Sequence, residues 1–81
     1  MSDRCKYVMF DWVSFEVPIL FPSYIGHNEI VRMIQSVYSG VTPISAGFVS
    51  HDKTCYGSSN SVDLKARDID TAIVALLFKN D

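Results

Sequence analysis

Cys5, His27, His51 and Cys55 are the two thiols and two imidazoles of the chain, the set from which a zinc site or a nucleophile–base pair would be drawn. Their spacing argues against both. Zinc knuckles take paired ligands a few residues apart, and neither cysteine has such a partner. His51 and Cys55 straddle a polar turn. With Asp52-Lys53 as a two-residue turn, Ser50 faces Cys55 and His51 faces Thr54. Thiol and imidazole then point to opposite faces, which does not suit proton transfer. Asp63, Asp68 and Asp70 supply carboxylates, but Asp68 and Asp70 are better explained as the cap and first turn of a helix. The residues assemble no catalytic set and call for no metal or cofactor.

Binding chemistry is better represented. Gly57, Ser58, Ser59, Asn60 and Ser61 form a loop whose backbone N–H groups and hydroxyls suit an anion, with Lys65 and Arg67 adding positive charge close by. No Gly-Lys-Ser/Thr follows and no helix starts directly after it, so neither a P-loop nor a dinucleotide fingerprint is present. The alternative is an ordinary connection rich in turn residues. Trp12, Phe15, Phe21 and Tyr24 concentrate aromatic surface in the first third of the chain. They serve either as core or as anchors of a protein-binding face, because so small a domain cannot bury every large side chain.

The elements that must position these groups follow from periodicity. Residues 6–12 alternate as a strand, with Val8, Phe10 and Trp12 on the more apolar face. A turn at Val13-Ser14 leads to a second strand, 15–21, that Pro18 either confines to an edge or interrupts with a bulge. A helix starts at His27 or Asn28, runs through Ile30, Ile34 and Val37 with Val31 and Tyr38 widening the stripe, and ends at Gly40 as its C′ residue. Residues 44–49 and 54–56 form a hairpin, 61–65 a further strand with Val62 and Leu64 inward. Asp68 opens a second helix that is apolar nearly all round from Ile69 to Phe78, with Lys79 at its end. The reading is an α+β fold, β-β-α-β-β-β-α, with a small antiparallel sheet of four to five strands and both helices on one face. The second helix is too apolar for one sheet face to cover: either it is wedged between the sheet and the first helix, or part of it meets another chain, which invites a homodimer contact.

Eighty-one residues make a single domain spanning 1–81. Five Phe, four Tyr and one Trp in a chain that is 48% hydrophobic support a folded core, and a net charge of −2 gives no field for nucleic acid or an anionic membrane. No stretch reaches the ~20 apolar residues that span a bilayer. Asp11 and Glu16 interrupt any signal-peptide pattern, and reduced thiols in the cytoplasm are expected of two cysteines fifty positions apart.

Ser45-Ala46-Gly47-Phe48-Val49, then Cys55-Tyr56-Gly57-Ser58 with Ser61, then Leu64-Lys65, Arg67-Asp68 and Asp70, together resemble a loose group of small proteins encoded by bacteriophages and prophages. The opening Lys6-Tyr7-Val8-Met9-Phe10 and Phe15-Glu16-Val17-Pro18-Ile19 are similar in style. The resemblance implies a phage accessory protein in the bacterial cytoplasm: a non-enzymatic inhibitor that binds a host protein, such as a CRISPR effector or another defence complex. The alternative is a protein that sequesters an anionic nucleotide signal through the Gly/Ser loop, Lys65 and Arg67.

Overall fold

The computed structural model describes residues 5–78, so Lys79 lies outside the described residues. Strand β1 (Cys5–Trp12) is central to a four-stranded antiparallel sheet of order β2-β1-β3-β4, with β2 at Phe15–Pro22, β3 at Thr42–Val49 and β4 at Cys55–Tyr56. Helix α1 (His27–Val37) joins β2 to β3. A separate hairpin of β5 (Ser58–Ser59) and β6 (Leu64–Lys65) precedes α2 (Asp68–Leu77). Gly57, at φ +80°, bends the chain between β4 and β5. Counted as one run bent at that glycine, the order is β-β-α-β-β-β-α, and the class is α+β as the sequence indicates. Of the two placements that Pro18 allows, β2 takes the edge. Among the described residues no helix is long and apolar enough to cross a membrane.

β1 explains the layering. Tyr7, Val8, Met9 and Phe10 are all 0% exposed. Consecutive strand residues point to opposite faces, so four in a row are buried only if both faces are covered. Val8 and Phe10 pack with Phe21, Ala46 and Ile30, and α1 adds Val31 and Ile34 to that side. Tyr7 and Met9 pack with Val49, Cys55 and Val74, and α2 adds Ile73. The helices therefore lie on opposite faces of the sheet, where the sequence reading had both on one.

Local chemistry moves several boundaries. Helix α1 is capped at Gly26, whose N–H donates to Glu29 Oε1 at 2.7 Å, so Asn28 is already helical. It ends at Val37, and Gly40 does not take the left-handed conformation of a C′ glycine; instead Gln35 Nε2 donates to Val41 O across the exit. The β3–β4 connection is a five-residue loop, 50–54, not a two-residue turn. Lys53 adopts φ 68°, its N–H donates to Ser50 O, and the Asp52 carboxylate accepts from Ser50 Oγ. The register consequently pairs Val49 with Cys55, one residue away from the expected Ser50–Cys55 match. Such a slip inverts the face on which each side chain falls. The expected strand 61–65 shortens to β6, because 60–63 form a turn with Asp63 at φ 56°. Gly47 permits the β3–β4 approach: a Cβ there would fall near Tyr56 O.

Candidate functional site

The β1–β2 tip gathers exposed apolar surface. Trp12 and Phe15 are cross-strand partners, and directly opposed residues share a sheet face. Between them the chain reverses in a γ-turn: Ser14 N–H donates to Trp12 O at 2.8 Å across Val13, whose φ is +66°. A β-branched side chain in the left-handed region is an outlier of the kind that clusters at ligand clamps. Val13 is 86% and Phe15 61% exposed. Tyr38, just past α1, lies with its ring centroid 4.9 Å from that of Trp12. Trp12 is half-buried and meets Phe10 edge-on behind it, so a core residue backs the surface aromatics.

The other sequence candidates separate. Phe21 is buried in the core, edge-on to His27. It lies six residues from Phe15 along β2, roughly 20 Å at strand rise. Tyr24 is exposed in the loop beyond that far end. The four aromatics thus form no single face; Trp12 and Phe15 remain together and are joined by Tyr38.

The Gly/Ser loop becomes the β5–β6 hairpin, where Ser58, Ser59, Asn60, Asp63, Leu64 and Lys65 line an open groove of about 350 Å³. Asp63 sets a negative charge beside Lys65. Arg67 is engaged elsewhere: its guanidinium donates to Asp70 Oδ1 and Glu16 Oε1, each at 2.7 Å. Gly57 sits at the bend rather than in the lining.

Asp70 is the centre of a buried polar network. It is 0% exposed, accepts Tyr7 OH at 2.5 Å and the Arg67 N–H at 3.0 Å, and so caps α2 as its third residue while Arg67 occupies the N-cap position expected of Asp68. Burial pushes the Asp70 carboxyl up, but the hydrogen bonds from Tyr7 and Arg67 and the neighbouring Ser45 hydroxyl outweigh it and hold the group below the ordinary carboxylate value. Ser45 Oγ sits by this carboxylate without a well-formed hydrogen bond. Burial, then the bond to Asp70, pushes the Tyr7 phenol far up. Burial and the Asp70 charge push the Cys55 thiol up as well. A protonated, enclosed thiol is a poor nucleophile. Tyr7, Ser45 and Asp70 are each 0% exposed, so the network pins α2 to the sheet and has no opening for a substrate.

His51 is exposed while Cys55 is buried. Cys5 pairs with Val49 and Val49 with Cys55. Two strand spacings, roughly 10 Å, therefore separate the cysteines, beyond the ~7 Å a disulfide spans, and both are free. His27 is 5% exposed and its Nε2–H donates to Gly47 O at 2.9 Å, since a carbonyl only accepts. Burial lowers its pKa. Among the described residues no group of three His, Cys, Asp or Glu is placed to hold a metal ion. Comparison with family models, curated proteins and solved structures gives no match.

Proposed function

We propose that this chain is a non-enzymatic protein-binding module that meets its partner through the β1–β2 tip: Trp12, Val13, Phe15 and Tyr38. The observation that carries the reading is the exposed aromatic cluster held at a strained turn and backed by Phe10. Rigid aromatics seated on a core are the usual anchors of protein interfaces, because they bring large area with few rotatable bonds. Three groups with displaced pKa values support it too: Tyr7, Cys55 and Asp70 are buried and serve packing rather than facing a cleft. The resemblance to phage and prophage proteins gives the partner its class, a host protein of the bacterial cytoplasm such as a defence complex that the module blocks.

Affinity capture from bacterial lysate tests this, comparing the natural chain with Phe15→Asp and Tyr38→Asp. Both side chains are at least half exposed, so the fold tolerates the changes. A stoichiometric host protein captured by the natural chain and lost from both variants is the expected result. Equal capture by all three sinks the tip as the contact surface.

The β5–β6 groove favours a second reading, a small-ligand site, since its volume falls in the range of such pockets. Asp63 in the lining and the commitment of Arg67 to two carboxylates weigh against an anion. Nucleotide at ~100-fold over Kd would add about 2.7 kcal/mol of stability; an unchanged melting temperature across a nucleotide panel removes this reading.

A further inference from the structure

Helix α2 presents an apolar strip along the flank beside its sheet contact. Asp70 and Val74 are its only fully buried residues. Ile69, Leu76 and Leu77 are 57%, 69% and 55% exposed. With exposed Ala72 and half-buried Ile73 they recur at helical spacing along one stripe. No polar side chain falls within it, and Ile73 joins it to the core cluster beneath. We infer that this strip is a self-association surface, on which two copies of the chain pack α2 against α2, antiparallel, about a two-fold axis.

Size, pattern and charge single out a second copy. The strip offers roughly 500 Å² per chain, toward the upper end of the largest patch a monomer commonly leaves open, and about 1,000 Å² for a pair, the lower bound of a specific interface. A two-fold interface must be complementary to itself. About a midpoint between residues 72 and 73, antiparallel helices set Ile69 of one copy against Leu76 of the other, and the small Ala72 against the larger Ile73. Knob thus meets hole on both sides, and the two helix dipoles oppose. A lipid surface is a poor occupant, because interfacial helices carry basic residues beside their apolar face. Helix α2 has Asp68 and Asp70 in its first turn and no basic residue in its last.

Sedimentation equilibrium on the full chain, from low to high micromolar, tests the pairing. The natural chain is expected to approach twice its 9.1 kDa mass. Leu76→Glu and Ile69→Glu are expected to return it to the single-chain mass with an unchanged far-ultraviolet dichroism spectrum, both positions being exposed. If either variant loses helical signal, Leu76→Ser and Ile69→Thr give the same reading with a milder change. Phe15→Asp is expected to keep the doubled mass, which separates this contact from the partner surface at the tip. A natural chain that stays single at high micromolar concentration overturns the inference. So does a doubled mass that survives the α2 substitutions, or a single chain that uses α2 to bind a different protein.

Discussion

The two faces of β1 are equally buried and are covered in different ways. On one, Val8 and Phe10 meet Phe21, Ala46 and the apolar side of α1, with His27 as a buried polar side chain at the margin. On the other, Tyr7 and Met9 lie under α2, which contributes one fully buried apolar residue, Val74, and a hydrogen-bonded carboxylate, Asp70. The first contact is non-directional and scales with area. The second is directional: four donors, one from Tyr7 and three from Arg67, converge on Asp70, and Arg67 also reaches Glu16 on β2. A helix pinned at its first turn needs little inward apolar area, and this frees the rest of α2 to be apolar outward.

Substitutions on the two faces sharpen that contrast. Phe10→Ala on the dry face carries the largest expected effect, a loss of about 3–5 kcal/mol from the denaturant midpoint, because a fully enclosed ring leaves a cavity. Tyr7→Phe on the polar face keeps the ring and removes one donor to Asp70, for about 1–3 kcal/mol. Its effect is expected to be non-additive with Asp70→Asn, since the two share one hydrogen bond. Additivity in that double-mutant cycle would break the view of the network as a unit.

Stability against pH separates the faces again. The lowered pKa of His27 means that the unfolded chain takes up its proton first. The dry face therefore loses stability as pH falls below about 6.5. Asp70 is also lowered, so the polar face adds a second acid loss that starts below about 3.9. Tyr7 and Cys55 are raised. The unfolded chain gives up those protons first, and stability falls as pH rises beyond about 8.5 for the thiol and 10 for the phenol. His27→Gln is expected to remove the limb nearest neutrality and leave the others, read from melting temperature across pH. Smallest, Val13→Gly relieves the left-handed strain at the tip and raises stability by about 1 kcal/mol, net of glycine's greater freedom when unfolded. If it also weakens partner capture, the strain serves binding.

The sequence made some of this legible through mechanisms local to each segment. Period-two alternation located β1, β2 and β3, Pro18 marked the edge, and the Asp-rich start of α2 placed that helix to within one residue. Placement of the helices was harder, since amphipathicity says that a face is buried but not against which side of a sheet. Yet the signal existed in the unbroken run Tyr7-Val8-Met9-Phe10, which only a strand covered on both sides can carry. The β3–β4 register depended on Lys53 taking a left-handed conformation, a choice that the Ser50–Asp52 bond supports and residue type alone does not announce. Asp70 reads locally as a capping residue, and it is one; its bond to Tyr7 spans 63 positions and has no local signature. Of the aromatic group, Trp12 and Phe15 were traceable because they flank a two-residue turn. Tyr38 joined them only through the path of α1, and Phe21 left them because six residues of strand lie between.

The Tyr7–Asp70 bond has a consequence for the order of events in folding. β1 and β2 are neighbours in sequence and can pair as soon as both are made, and α1 follows to cover the Val8–Phe10 side. The opposite side must wait for α2, which comes after every strand. Until then Tyr7 and Met9 face water and the strand is half-dressed. Closure over such a distance is a slow class of contact, and an open apolar face during that delay is what chaperones and proteases recognise. The nascent chain therefore keeps one face of β1 open until one carboxylate, late in the chain, finds one phenol near its start.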